Sequence, residues 1–414
     1  MTGVRTTPRV DHVPIVDLRW RHSRVRGRLA PTVVVLWAVA WFVALGVHGG
    51  GSWHFFHTGG QVLSDLDDGS RAGLHVYAEH PLLQIGPLAL AAAWALGWIS
   101  QGHGLGAAES AGALMGVVVV LLVRRIARRG EPLADAARRR ERDLTLLAGV
   151  ICFVPVWMYA AVSSTHLDDV MALTSGVVAL ALVRSGRAVW AGAALAIAVD
   201  SKPWALPLVV VLLALPSMRA RLLGFATTAA GVALAWLPFF LADPQTVRAL
   251  RYTIPTTALS GLHFFGVTAA RTPPWDRPLQ TLVGAALAGA AVWRGRTAGV
   301  LLLVLASRLA LDPGTNRYYT AGLAAGALLW DVAGSRHRWP WWSATVVLFL
   351  HVARWFHALD PLHGPALVVF AVAASVAVLG GERVRAWGQV LRHRTGTVLL
   401  PRWTLRGRAP TGRA

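Results

Sequence analysis

The side chains best able to do chemistry fall in a few polar stretches between long apolar runs. The first stretch holds Trp53, His54, Phe55, Phe56 and His57, then Asp65, Asp67 and Asp68, then His75, Tyr77, Glu79 and His80. A short second stretch carries Thr165, His166, Asp168 and Asp169, and a third carries Asp200, Ser201 and Lys202. Later come Arg248, Arg251, Arg271, Asp276 and Arg277, and then Arg308, Asp312, Arg317, Tyr318 and Tyr319. A carboxylate beside a hydroxyl can take its proton as the oxygen attacks. A cation can stabilise the charge that develops on a departing phosphate.

Lys202 is the only lysine, against 39 arginines. A compact ammonium suits a phosphate held as a point charge, where a planar guanidinium would serve a bidentate contact. The simpler roles for Lys202 are snorkelling or a local pair with Asp200. Asp168 and Asp169 stand at the mouth of an apolar run, where carboxylates are costly without partners. Thr165 or Asp168 could instead cap the helix that begins near residue 170, with the acids favoured by its positive end. The Asp clusters suit oxygen-loving Mg²⁺, Mn²⁺ or Ca²⁺. The histidines lack the fixed ligand spacing that would define a zinc site. Tyr318 and Tyr319 fit interfacial anchoring as well as ligand contact.

These groups must be positioned by helices in lipid. The chain is 55% hydrophobic and only 14% charged, with a mean hydropathy of +0.51, against about 25% charged for an ordinary soluble chain. Apolar runs recur from 31 to 380, and in lipid each must satisfy its own backbone as helix. Barrel strands would alternate polar and apolar residues, and these runs do not. The net charge of +20 comes from Arg clusters flanking apolar runs, which is a topology signal rather than a nucleic-acid footprint. The single Cys152 excludes an intramolecular disulfide and a cysteine-based zinc or redox motif.

The expected class is therefore an all-α polytopic membrane protein. A basic cytoplasmic arm covers 1–30, a transmembrane domain 31–380 and a basic cytoplasmic tail, drawn to anionic lipid, 381–414. The apolar run at 31–48 lacks a small-residue cleavage site and reads as a retained span. Between 124 and 142 lie eight arginines, which belong inside. That parity allows only one of 82–99 and 106–123 to cross. The run 82–99 carries Gln84, Gly86 and Pro87 and is expected as a juxtamembrane or re-entrant helix on the outer face. Further spans at 144–162, 170–183, 189–199, 204–215, 222–240, 279–293, 298–311, 319–330, 341–352 and 366–379 bring the count to about 12. Both termini then face the cytoplasm.

This order of features resembles the GT-C superfamily of integral membrane glycosyltransferases, nearest to the polyprenyl-phosphate-sugar-dependent mannosyl- and arabinosyltransferases of actinobacteria. The likeness is carried by HVYAEHPLLQIGPLAL (75–90), THLDDVMAL (165–173), AIAVDSKPWALPL (196–208), PPWDRPLQ (273–280) and DPGTNRYYTAGL (312–323). Each segment is loose alone, and their order is the more specific signal. The resemblance implies a multi-pass cell-membrane enzyme of the envelope. It would transfer a mannose- or arabinose-type sugar from a polyprenyl phosphate to an extracytoplasmic glycan or lipid acceptor. It implies Asp168 or Asp169 as the second-loop acid, Lys202 and more weakly Arg317 at the donor phosphate, and His54, Tyr77, Glu79 and His166 in the loops around the substrate. The family's first acid lies close after the first span, and here 51–56 holds no carboxylate. Asp65, favoured, or Asp67 or Asp68 must reach in from further along, or His54 substitutes, or activity is lost. Two other classes compete. A lipid-linked sugar flippase or transporter would place ionisable groups near the membrane midplane and often repeat its fold. A scaffold that has lost catalysis would keep the fold without the first acid.

Overall fold

The structure is a computed structural model that describes residues 17–64, 73–129 and 136–380. The expectations for Asp65, Asp67 and Asp68, and for the tail at 381–414, lie outside the described residues. In chain order the helices are α1 (Asp17–Gly46), α2 (Trp53–Ser64), α3 (Val76–Glu79), α4 (Pro87–Ile99), α5 (Gly104–Arg128), α6 (Ala136–Met158), α7 (Leu167–Val183) and α8 (Ala188–Ser201). They continue with α9 (Met218–Ala242), α10 (Val247–Arg251), α11 (Gly261–Phe264), α12 (Asp276–Trp293), α13 (Val300–Leu311), α14 (Thr320–Leu329), α15 (Trp341–Thr345) and α16 (His363–Leu379). Among the described residues the only β pairing is an isolated bridge between Pro255 and Arg271.

Among the described residues four helical segments are long and apolar enough to cross a membrane: Gly104–Arg128, Arg139–Ser163, Met218–Ala242 and His357–Leu379. At about 1.5 Å per residue, the 25 residues of Gly104–Arg128 exceed the roughly 30 Å hydrocarbon core. Met218–Ala242 leaves most of its surface uncovered, with Leu222, Leu234, Leu237 and Leu241 exposed, as a lipid-facing helix would. By contrast, α14 is buried on every face, as is α13 from Val300 to Ala310. Helices apolar all round belong at the centre. Close approach there relies on small residues: a Cβ on Gly326 would stand 2.7 Å from the Leu302 backbone.

One expected span and the expected outer-face helix at 82–99 take a different local form. Residues Pro203–Ala214 form a 3₁₀ helix, not an α-helix. Pro207 has no N–H for the carbonyl four residues back, and its ring would clash there. At about 2.0 Å per residue, the 12 residues stretch over roughly 24 Å, further than the same residues in an α-helix. The run expected to be helical from 82 begins its helix only at Pro87. Gly86 is extended there and donates its N–H to the Ser201 carbonyl at 3.1 Å. A Cβ at Gly86 would overlap the Asp200 carbonyl oxygen, so only glycine lets α4 start against the end of α8. The 13 residues of α4 cover about 20 Å, too little to cross.

Consecutive helices such as α7 and α8, whose facing ends bring Asp168 to Lys202, run antiparallel and give the bundle two distinct ends. One end gathers arginines: Arg128 grips both oxygens of Asp143 at 3.0 and 2.9 Å, and Arg338 meets Glu141 at 3.1 Å. The other end gathers the C-termini of α6, α8 and α13 with the N-termini of α7, α12 and α14. A second apolar cluster covers that end, including Phe56, Tyr77, Leu83, Leu90 and Phe239.

Candidate functional site

The site is built on the sharp turn between α6 and α7. The helix loosens into a π turn over Tyr159–Ser163, and Thr165 then takes φ +47°. That left-handed conformation in a β-branched residue costs on the order of 1–3 kcal/mol and persists only when its surroundings impose it. Here the hydroxyl of Thr165 donates to the Val162 carbonyl at 2.8 Å. The chain after α1 also pairs with the turn, as the N–H groups of Gly50, Gly51 and Ser52 donate to the carbonyls of Val162, Ser163 and Ser164 at 3.2, 3.1 and 2.8 Å. Gly51 permits this approach, since a Cβ there would stand 3.3 Å from the Ser163 oxygen.

The turn delivers His166, Asp168 and Asp169 to the start of α7, facing Lys202 at the end of α8. Lys202 pairs with Asp168 and stands 3.9 Å from Asp169 Oδ2. The Asp168 side chain is 1% exposed, and that of Lys202 19%. Burial alone would raise the Asp168 carboxyl, but Lys202 and the His166 hydrogen bond outweigh it and hold the group below the usual carboxylate range. Burial would lower the Lys202 ammonium, and the two aspartates outweigh it and raise it above its ordinary value. Asp169 Oδ1 accepts from Trp204 Nε1 at 2.7 Å, while its buried Oδ2 has no hydrogen-bond partner among the described residues. His166 Nδ1 lies 3.4 Å from Asp168 Oδ1 and 3.6 Å from Asp169 Oδ2, and Nε2 meets Ser52 Oγ at 2.9 Å.

The simpler roles describe this geometry in part: Asp168 and Asp169 stand in the first turn of α7, where its positive end favours them, and Asp168 Oδ1 accepts from the Asp169 N–H at 2.8 Å. No side chain caps α7, because His166 holds the cap position and the Thr165 hydroxyl bonds backward. Lys202 pairs with Asp168 and Asp169, not with Asp200. His166, Asp168 and Asp169 could each offer a metal-ligand atom, all within 4.8 Å of one another. The ammonium of Lys202 already lies against both carboxylates, however, and supplies the positive charge they need. We read the group as an internal ion cluster.

Beside this cluster opens a cavity of about 790 Å³. Lys202, Arg277 and Arg308 reach its wall, and Leu82, Leu206, Pro207, Trp236, Leu250 and Ile254 supply an apolar side. The Arg308 guanidinium lies 5.1 Å from the Trp204 ring and 4.9 Å from the Tyr319 ring, and is 3.5 Å from Asp312. Stacking between two aromatic faces fixes a planar cation. Arg277 donates to Gln84 Oε1 at 2.8 Å, tying α12 to the segment before α4. Asp276, ahead of the apolar run of α12, also lines the cavity and accepts from Gln280 Nε2 at 2.7 Å, while its Oδ1 is buried without a partner. Burial, and then the charge of Asp312, raise its carboxyl to about 7.

The structure thus brings Asp168, Asp169, His166 and Lys202 together. Of these four only Lys202 lines the cavity; Tyr77 lines it too, but is packed against Trp236 and Phe239 and donates its hydroxyl to the Ile85 carbonyl at 2.8 Å. His54 and Glu79 are exposed and outside the cavity wall, with the His54 ring on Phe55 at 3.9 Å. Arg317, expected at the donor phosphate, donates to the Arg354 carbonyl at 2.8 Å and is not among the residues of the cavity wall, which include Arg308 and Arg277. Asp65 lies outside the described residues. Sequence reasoning did not single out Ser52, Trp204, Asp276 or Arg308 as site residues. Arg308 left a usable trace, as an arginine inside an apolar run with an aspartate four residues on. Comparison with family models, curated proteins and solved structures finds no match.

Proposed function

We propose that this chain is a membrane glycosyltransferase that moves a mannose- or arabinose-type sugar from a polyprenyl phosphate to a glycan or glycolipid acceptor. In this reading about 12 segments cross the bilayer, both termini are cytoplasmic, and the cavity opens at the extracytoplasmic face. The observation that carries it is the composition of the cavity wall, with three cations set against an apolar side. A polyprenyl phosphate has the complementary form: one anionic head on an apolar chain. A volume of about 790 Å³ falls within the roughly 300–1,000 Å³ of small-ligand sites. It holds a sugar phosphate and the first part of a chain whose remainder lies in lipid. As the bond from the anomeric carbon to the phosphate breaks, negative charge builds on the leaving oxygen. Lys202 and Arg308 stand where such charge is stabilised without reorganising water. The ionisable groups described above gather at the two ends of the bundle, and this favours transfer over alternating access, which would set them near the membrane midplane.

The test is transfer of radiolabel from polyprenyl-phosphate mannose or arabinose to a lipid-extract acceptor by the purified chain, beside Lys202→Ala and Arg308→Met. Transfer by the native chain and its loss in both variants is the expected result. No transfer from either donor, where a known polyprenyl-phosphate-dependent enzyme works, would sink the reading for those donors.

A further inference from the structure

Resting on the transferase reading, we propose that His166 is the proton acceptor for the sugar-accepting hydroxyl, positioned by Asp168 and reached through Ser52. The side chain best suited to receive a proton here is not a carboxylate. Asp168 is buried against Lys202 and accepts from the Asp169 N–H at 2.8 Å. Asp169 is bound by Trp204, and Asp276 is fully covered. His166 keeps a side chain that is 12% exposed.

The geometry around its ring orders the two nitrogens. Nδ1 faces only carboxylates, Asp168 Oδ1 at 3.4 Å and Asp169 Oδ2 at 3.6 Å, so it carries the hydrogen. Nε2 is then the free lone pair, and it faces the Ser52 hydroxyl at 2.9 Å. A base held by a carboxylate on one side and a hydroxyl on the other is the general arrangement of an oriented proton acceptor. The ring is clamped as well. Tyr318, which lines the cavity, stacks on it at 3.4 Å between centroids, and Phe56 meets it edge-on at 6.3 Å. Lys202 is bound to the same two aspartates, and the charges of Arg308 and Asp312 also act on Asp169. The strained turn at Thr165 and the pairing of 50–52 with 162–164 hold His166 and Ser52 in register.

In the step, the acceptor oxygen bonds to the anomeric carbon while the bond from that carbon to the phosphate oxygen breaks, and its electron pair leaves with the phosphate. The acceptor's proton passes to Ser52 Oγ as the serine's own proton moves to His166 Nε2. The imidazolium, balanced by Asp168 and Asp169, later releases that proton to water. A donor phosphate drawing Lys202 toward itself would leave Asp168 freer to stabilise the imidazolium, which couples donor binding to the base.

The experiment compares initial transfer rates of the native chain, His166→Ala, His166→Asn and Ser52→Ala, with donor KM and thermal unfolding measured on each. Asn keeps an N–H toward Asp168 but lacks Nε2, so it preserves a structural role and abolishes a basic one. The expected result is a fall in kcat of about 10²–10⁴-fold for both His166 variants, the usual worth of a general base, with donor KM nearly unchanged. Added imidazole restores part of the His166→Ala rate, and Ser52→Ala falls by roughly 10-fold. Native-like kcat in His166→Ala or His166→Asn, or no rescue by imidazole in a folded, donor-binding His166→Ala, overturns the assignment and leaves the transferase reading standing. A native chain that transfers no sugar fails the transferase reading itself.

Discussion

Arg128 closes on Asp143 at 2.9 Å with the two side chains 45% and 38% exposed, whereas Lys202 meets an Asp168 that is 1% exposed. Both are arginine- or lysine-to-aspartate pairs at helix ends, at opposite ends of one bundle. The first sits in high dielectric, where screening leaves such a pair about 0–1 kcal/mol. The second is desolvated, and burying two charges gains little stability even when they are paired. A fold that needed only stability could have filled that space with apolar side chains. That the charge is kept beside a cavity, with Arg308 and Arg277 added, is what makes this end the candidate site.

The contrast can be broken by substitution. Lys202→Ala should have the largest effect. It leaves two covered carboxylates unpaired and should cost about 3–5 kcal/mol, read as a lowered unfolding midpoint, with transfer lost. Arg308→Met follows, at about 2–3 kcal/mol for the lost ion pair with Asp312 and the two cation–π contacts. Its donor KM should rise while the acceptor KM holds. Asp276→Asn tests the buried acid through pH. Its carboxyl titrates near 7 in the fold, above its value in the unfolded chain. Its contribution to stability is therefore full below the ordinary carboxylate range and lost as pH rises through about 7. The Asn variant should match the native chain at acid pH and exceed it by on the order of 1–2 kcal/mol in alkaline buffer. A native chain whose relative stability runs the other way would contradict the burial of Asp276. The smallest effect belongs to Arg128→Ala, within about 0.5 kcal/mol and weaker still in high salt. A large loss of transfer there would erase the distinction between the two ends.

The helical membrane class was legible because apolar runs of spanning length have no other outcome in lipid. Asp168, Asp169 and Lys202 were legible for a related reason, since charges at the mouths of such runs are costly and a lone lysine among arginines is unusual. What could not be read were contacts between distant segments. Ser52 and His166 are 114 residues apart, and no spacing rule joins them. The expected zone of Arg317 was nearly right, yet the guanidinium at the cavity is that of Arg308, turned inward by Trp204 and Tyr319. The 3₁₀ form of Pro203–Ala214 was written in Pro203 and Pro207, but its apolar composition reads equally as an α span.

The central claim is that the cavity beside Lys202 holds an anionic isoprenoid lipid. The most direct measurement is photo-crosslinking of the full chain in nanodiscs with a polyprenyl phosphate carrying a photoreactive group near its head, mapped by peptide mass spectrometry. The account predicts labelling of the peptides that contain Leu206, Trp236 and Leu250, competed by unlabelled polyprenyl phosphate and lost in Lys202→Ala. Labelling spread over the lipid-facing side of α9 and unchanged in Lys202→Ala would contradict it.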